Sequence, residues 1–103
     1  MFDSIKKLFG LEKTDYIQLI KDGAIIVDVR SKGEYARGHI KGSINLPVDQ
    51  LVNNLNKLKD KNKPIITCCA SGARSATAKN ILISNGYAEV YNGGGWNSLQ
   101  HKI

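Results

Sequence analysis

The segment Thr67-Cys68-Cys69-Ala70-Ser71-Gly72-Ala73-Arg74-Ser75 holds the residue types and spacing that could do chemistry. It follows a short apolar run, Ile65 to Cys68, and leads into a segment with helical character. Ligands gather at that point in parallel α/β sheets. A cysteine at a strand's end, then small or polar residues, then an arginine as a helix opens predicts a tight loop whose backbone N–H groups converge. Converging amides, added to the positive end of the helix, bind an anion. That anion could be an oxyanion substrate, the Cys69 thiolate, or each in turn. The same field lowers a cysteine's pKa from its reference near 8.5 and raises its thiolate fraction at neutral pH. Gly72 permits a backbone conformation that a side chain would oppose. Ala70 and Ala73 are expected to leave the space above the sulfur open, and Arg74 brings a planar, permanent charge. Local chemistry leaves a second reading open: a buried structural cysteine followed by a helix cap at Ser71 or Ser75, because free cysteine is among the most buried residue types.

The elements that must position this loop alternate between strand-like and helix-like, which predicts an α/β domain with a mainly parallel sheet. Thr14 is expected to cap a short helix through Lys21, ended by Gly23. Ala24 to Val29 is a near-continuous apolar run closing on Asp28 and Arg30, the pattern of a buried strand with polar residues at its carboxyl end. Ser31 and Glu34 form a capping-box pair for a short helix that stops at Gly38. Ser43 to Leu46 reads as a strand, ended by Pro47. Val48, Leu51, Val52, Leu55 and Leu58 recur at helical spacing, which predicts an amphipathic helix over Val48 to Lys59. Ile65 to Cys68 is the next strand, Ala76 to Ser84 a helix stopped by Asn85-Gly86, and Glu89 to Tyr91 a last strand. Gly93-Gly94-Gly95 then leads into a terminal helix around Trp96 to Gln100. Phe2, Ile5, Leu8 and Phe9 fall at helical spacing, so residues 1–13 are read as an N-terminal helical extension and residues 14–103 as the domain proper.

Composition narrows the classes. The chain has 103 residues, 42% hydrophobic and 23% charged, enough for one core and ordinary for one soluble domain. No apolar run approaches the roughly 18 to 20 residues of a membrane helix, and no signal-peptide pattern is evident. A cytoplasmic chain without a membrane partner is expected. Fifteen Lys plus Arg against nine Asp plus Glu leaves a net charge of +6. A basic surface concentrates anions, but the densest cluster, Lys57, Lys59, Lys61 and Lys63, has few aromatics beside it to stack bases. Nucleic acid is therefore not an expected partner. Adjacent Cys68 and Cys69 cannot build a disulfide framework, and neither spacing nor histidine supply fits a zinc site. No metal or cofactor is called for.

Several segments together resemble the single-domain rhodanese, or thiosulfate sulfurtransferase-like, family. They are Ile26-Val27-Asp28-Val29-Arg30, Glu34-Tyr35-Ala36-Arg37-Gly38-His39-Ile40-Lys41-Gly42-Ser43-Ile44-Asn45-Leu46-Pro47, Cys69-Ala70-Ser71-Gly72-Ala73-Arg74-Ser75, and the glycine run with Trp96. They occur in the family's order and spacing from about Thr14 onward. The resemblance implies a central parallel sheet flanked by helices and a cysteine that cycles between thiolate and persulfide. It makes Cys69 the nucleophile and gives the amides of Ala70, Ser71, Gly72, Ala73, Arg74 and Ser75 the task of cradling its sulfur. The implied reaction takes a sulfane sulfur from a donor such as thiosulfate and passes it to cyanide or a thiol.

The remaining polar residues read as support. Cys68 faces the opposite side of its strand by the period of two and is expected to be a small core residue rather than a resolving thiol. His39 is expected to serve as a structural hydrogen-bonding residue. Asp28 braces, Trp96 forms core or pocket wall, and Arg30 is a candidate substrate contact at the strand's carboxyl end. Three other functions compete. A phosphatase or arsenate reductase also uses a Cys–Arg loop, but one residue longer. A non-catalytic binding module would lack the nucleophile. A sulfur carrier would pass its persulfide to a protein acceptor.

Overall fold

The computed structural model describes residues 13–103; the expected N-terminal helix lies outside them. Four parallel strands form one sheet in the order β2-β1-β3-β4. They are β1 (Ile25–Asp28), β2 (Ile44–Asn45), β3 (Ile65–Cys69) and β4 (Val90–Gly95). Helices α1 (Tyr16–Lys21), α2 (Lys32–Ala36), α3 (Ala73–Ser84) and α4 (Trp96–Gln100) connect and cover them. The α/β expectation holds.

Period-two alternation splits the core into two layers. On one face Val27, Val29, Ile65 and Cys69 pack with Leu51, Leu58 and the α3 residues Ala78 and Leu82. On the other, Ile26, Ile66 and Cys68 pack with Leu99 and Ile40, and with Tyr16, Leu19, Ile20 and Trp96 at the margin. Adjacent cysteines thus serve opposite layers. Every residue of β3 is buried, as a central parallel strand covered on both faces requires.

Local signals placed most elements, with four corrections. The cap of α1 is Asp15, not Thr14: its carboxylate accepts from the Gln18 amide at 3.0 Å. Helix α3 begins at Ala73 rather than Ala76, because Gly72 takes the N-cap position at φ +105°. The apolar stretch after Pro47 is not one α-helix but two 3₁₀ segments, Val48–Gln50 and Val52–Lys57. Asn54 interrupts it at φ −124°, ψ 19°, and donates its side-chain amide to the Gln50 carbonyl at 2.8 Å. Leu51 and Leu58 still turn inward, whereas Val52 is 58% exposed.

The glycines, expected to lead into the terminal helix, instead lie within β4, which carries an extra residue against β3: Thr67 pairs with Asn92 and Cys69 with Gly95. Gly94 takes φ +78° in that bulge, a conformation open to glycine at no steric cost. At Gly93 a Cβ would lie 2.8 Å from the Thr67 carbonyl oxygen and 2.9 Å from side-chain atoms of Ile66 and Leu99. Since β3 backbone cannot retreat, Gly93→Ala is expected to destabilise the fold by about 1–3 kcal/mol, as overpacking of a core does. A urea titration checks this; a midpoint equal to the wild type would contradict the close approach.

Candidate active site

Strand β3 delivers Cys69 to the sheet's carboxyl end, and the chain then wraps around the sulfur before entering α3. The Gly72 amide donates to Cys69 Sγ at 2.9 Å and the Ser75 amide at 3.4 Å. The Cys69 thiol meets Ser75 Oγ at 3.4 Å. As first-turn residues of α3, Ala73 and Arg74 have amides without intrahelical acceptors, so the positive end of that helix faces the loop. The alanines do not leave the sulfur open. Ala70 and Ala73 are exposed, but Cys69 itself is fully buried, because the amides draw the loop around it.

Burial opposes ionisation of Cys69. The Ser75 hydroxyl and the amides of Ser75, Gly72 and Ser71 outweigh that cost, so its thiol titrates below the ordinary value. Cys68 behaves oppositely. Burial first, then the nearby Asp28 carboxylate, pushes its thiol up to about 12. Alkylation by iodoacetamide is therefore expected on Cys69, with a rate that rises with pH to a midpoint below that of a free thiol. Cys68 is expected to stay unlabelled until the protein unfolds. Peptide mass mapping across pH 5 to 10 checks both points (roughly the range around the reference thiol pKa).

Arg74 does not point a free fork at the sulfur. Its two terminal nitrogens contact the two Glu34 carboxylate oxygens at 2.7 and 2.9 Å. Glu34 also accepts from the Ser31 amide at 3.1 Å, closing the expected capping box of α2. The Arg74 guanidinium, followed by the Ser31 amide, holds the Glu34 carboxyl down at about 2. Glu34 is therefore ionised across the ordinary pH range and carries the charge that partners Arg74. Beside it lies a cleft of about 550 Å³ walled by Val29, Lys32, Pro47, Val48, Gln50 and Arg74, among others.

Arg30, a candidate substrate contact by sequence, is placed as a brace. It is 4% exposed and pairs with fully buried Asp28 at 2.7 Å. It also donates to the Gly38 carbonyl at 2.7 Å and lies over the Trp96 ring, 4.6 Å from its centroid. His39 Nδ1 donates to the Tyr35 carbonyl at 2.8 Å and its ring stacks on Tyr35 at 3.7 Å. Two loop supports had no signal of their own in the sequence. Thr67 Oγ1 donates to the Ser75 carbonyl at 2.9 Å, and Asn92 reaches Ser75, Gly72 and Gly94. The bulge glycines beside Asn92 were the one available cue, since glycine inside a strand marks close approach. Among the described residues no cluster of His, Cys, Asp or Glu could hold a metal, and no helix is long and apolar enough to cross a membrane.

Comparison with known proteins gives the family to which this fold belongs. The rhodanese-like domain model matches residues 12–102. The chain belongs to the rhodanese-like domain family. It is 40% identical over 73 residues to the uncharacterized protein YibN of Escherichia coli K12, covering 69% of this chain and 51% of YibN. The chain thus spans about half the length of that relative. It is 36% identical over 70 residues to the thiosulfate sulfurtransferase PspE of Escherichia coli K12, covering 67% of each. Among solved structures, the human single-domain sulfurtransferase superposes with a TM-score of 0.74 at 27% identity, over 85% of this chain and 91% of that one.

Proposed function

We propose that this rhodanese-like protein is a sulfurtransferase that carries sulfur as a Cys69 persulfide. The observation that carries the reading is the hold of the Gly72 and Ser75 amides on Cys69 Sγ, at 2.9 and 3.4 Å. In the first step the Cys69 thiolate attacks the sulfane sulfur of a donor such as thiosulfate. A new S–S bond forms on Cys69, the donor's S–S bond breaks, and sulfite leaves with the electron pair. In the second, cyanide or a thiolate attacks the outer sulfur, the persulfide bond breaks, and the Cys69 thiolate is regenerated. Negative charge stays on sulfur or oxygen throughout, so amide dipoles aimed at one spot serve both steps without an acid–base pair. The sulfurtransferase relatives named above support the same class.

The reading also accounts for what the site lacks. A phosphatase of similar design needs an arginine fork on phosphoryl oxygens, whereas both ends of the Arg74 fork are held by Glu34. Arg74 still adds positive charge beside the loop. Arg74→Ala is expected to slow persulfide formation from thiosulfate roughly 10- to 100-fold, the effect of about 1.4 to 2.7 kcal/mol in the transition state. Arg74→Lys restores part of it, because a point charge replaces a planar fork. Stopped-flow measurement of sulfite release tests this, and an unchanged rate would reduce Arg74 to a partner of Glu34.

Intact mass spectrometry tests the proposal as a whole. Thiosulfate or another sulfane donor is expected to add the mass of one sulfur atom, removed again by cyanide or a small thiol. Hydrolysis of an aryl phosphate, with no sulfur gained from any donor, would overturn the reading.

A further inference from the structure

The hydroxyl of Ser75 has one proton and three acceptors around it. Asn92 Oδ1 lies at 2.6 Å, the Gly72 carbonyl at 3.0 Å and Cys69 Sγ at 3.4 Å. The orientation of the Asn92 amide is settled by its other neighbours. The Gly94 amide, a donor only, lies 2.9 Å from Oδ1, and the Gly72 carbonyl, an acceptor only, lies 3.3 Å from Nδ2. A flipped amide would set donor against donor and acceptor against acceptor. Oδ1 is thus an acceptor, and the shortest contact of Ser75 is a hydroxyl donating to it.

That arrangement faces a lone pair of Ser75 Oγ toward the sulfur. In that orientation the hydroxyl accepts from the neutral thiol, and it supports the thiolate only once its proton turns to the sulfur. For Ser75 to donate to ionised Cys69, its proton must swing away from Asn92. We propose that Asn92 is a positioning residue that competes with the Cys69 sulfur for the Ser75 hydroxyl proton, and so restrains formation of the reactive thiolate. The restraint lifts as the hydroxyl turns, when the charge on sulfur draws the proton more strongly than the neutral amide does. The register of β4 makes this possible: Asn92 pairs with Thr67 and, two residues beyond Val90, shares the face that packs under α3, where it meets both Gly72 and Ser75. The proposal rests on Cys69 being the reactive thiol.

Other titratable and charged groups stand on the elements packed around the Cys69 loop. Asp28 and Arg30 lie at the end of β1, Glu34 on α2, Asp49 in the 3₁₀ segment, Arg74 on α3 and Cys68 on the same strand. None is altered by a change at position 92, so a comparison of backgrounds isolates the shared proton. The measurement is the pH midpoint of iodoacetamide labelling at Cys69 in wild type, Asn92→Ala, Ser75→Ala and the double variant. Asn92→Ala is expected to lower the midpoint, giving roughly 3- to 10-fold faster labelling at a pH below it (about half to one pK unit). In the Ser75→Ala background the same change is expected to leave the midpoint where it is, since no hydroxyl proton remains to be shared. Asn92→Leu, which keeps the side-chain volume, repeats the test if the alanine variant melts early. An equal shift in both backgrounds, or none with Ser75 present, would overturn the proposal alone. Label on Cys68 instead would overturn the Cys69 assignment and this proposal with it.

Discussion

Cys69→Ser is expected to abolish sulfur uptake, and Cys68→Ser to retain most of it. The two residues are neighbours in sequence and equally buried, so burial does not separate them. The period of the strand does. Cys69 turns toward the face of β3 that α3 covers, where the Gly72 and Ser75 amides reach its sulfur. Cys68 turns to the other face, among Ile26, Ile40, Ile66 and Leu99. A serine at position 69 keeps the loop's hydrogen-bonding pattern but is a far weaker nucleophile toward sulfur, and no base stands beside it to activate it. A serine at position 68 buries a hydroxyl in an apolar layer and costs about 1–3 kcal/mol of stability, with the reacting atoms untouched. Intact mass after thiosulfate, paired with a thermal melt, reads both effects. Persulfide on the Cys69→Ser protein, or none on a folded Cys68→Ser protein, would move the chemistry to Cys68.

The parts of this site that local signals carry were legible in the sequence. Ser31 and Glu34 are spaced as a capping box, and both bonds form. The cysteine at a strand's end before Gly72 and Arg74 announced an amide-lined loop, and the period of two put Cys68 behind it. What stayed hidden depends on partners distant in the chain. Glu34 and Arg74 are 40 residues apart, and nothing in either neighbourhood says that they meet. Asn92 and Ser75, which are 17 apart, come together only because β4 pairs alongside β3 in the fold. The stretch from Val48 to Lys59 misled for a different reason. Apolar residues three and four apart suit a 3₁₀ turn and an α-turn alike, and spacing alone does not reveal that Asn54 will leave the helical region and cap a carbonyl instead. The glycine run misled because glycine weakens a strand on propensity, while here close approach to Thr67 and Ala70 excludes any larger residue.

The largest loss of stability is expected from Asp28→Ala. Two ion pairs stand at this end of the sheet, and they differ in what water sees of them. Glu34 and Arg74 have side chains 31% and 39% exposed, so removing either is expected to change the melting temperature little. Asp28 and Arg30 have side chains 0% and 5% exposed. Asp28 accepts from the Arg30 amide at 3.0 Å, from Nε at 3.0 Å and from Nη2 at 2.7 Å, and these bonds hold the guanidinium above its usual pKa. Alanine at position 28 leaves that cation buried beneath Trp96 without a counter-charge. Breaking a buried pair from one side costs about 3–5 kcal/mol, whereas replacing both partners by apolar residues can be nearly neutral. Asp28→Leu with Arg30→Met is therefore expected to recover part of the loss, short of the whole because the Gly38 carbonyl also loses its donor. Urea titrations of the three proteins check the order. Sulfur uptake supplies the functional arm: the loop is held by Gly72, Ser75 and Asn92 rather than by Arg30, so the folded fraction of each variant is expected to form persulfide. A double variant as stable as the wild type that takes up no sulfur would return Arg30 to the residues that touch substrate.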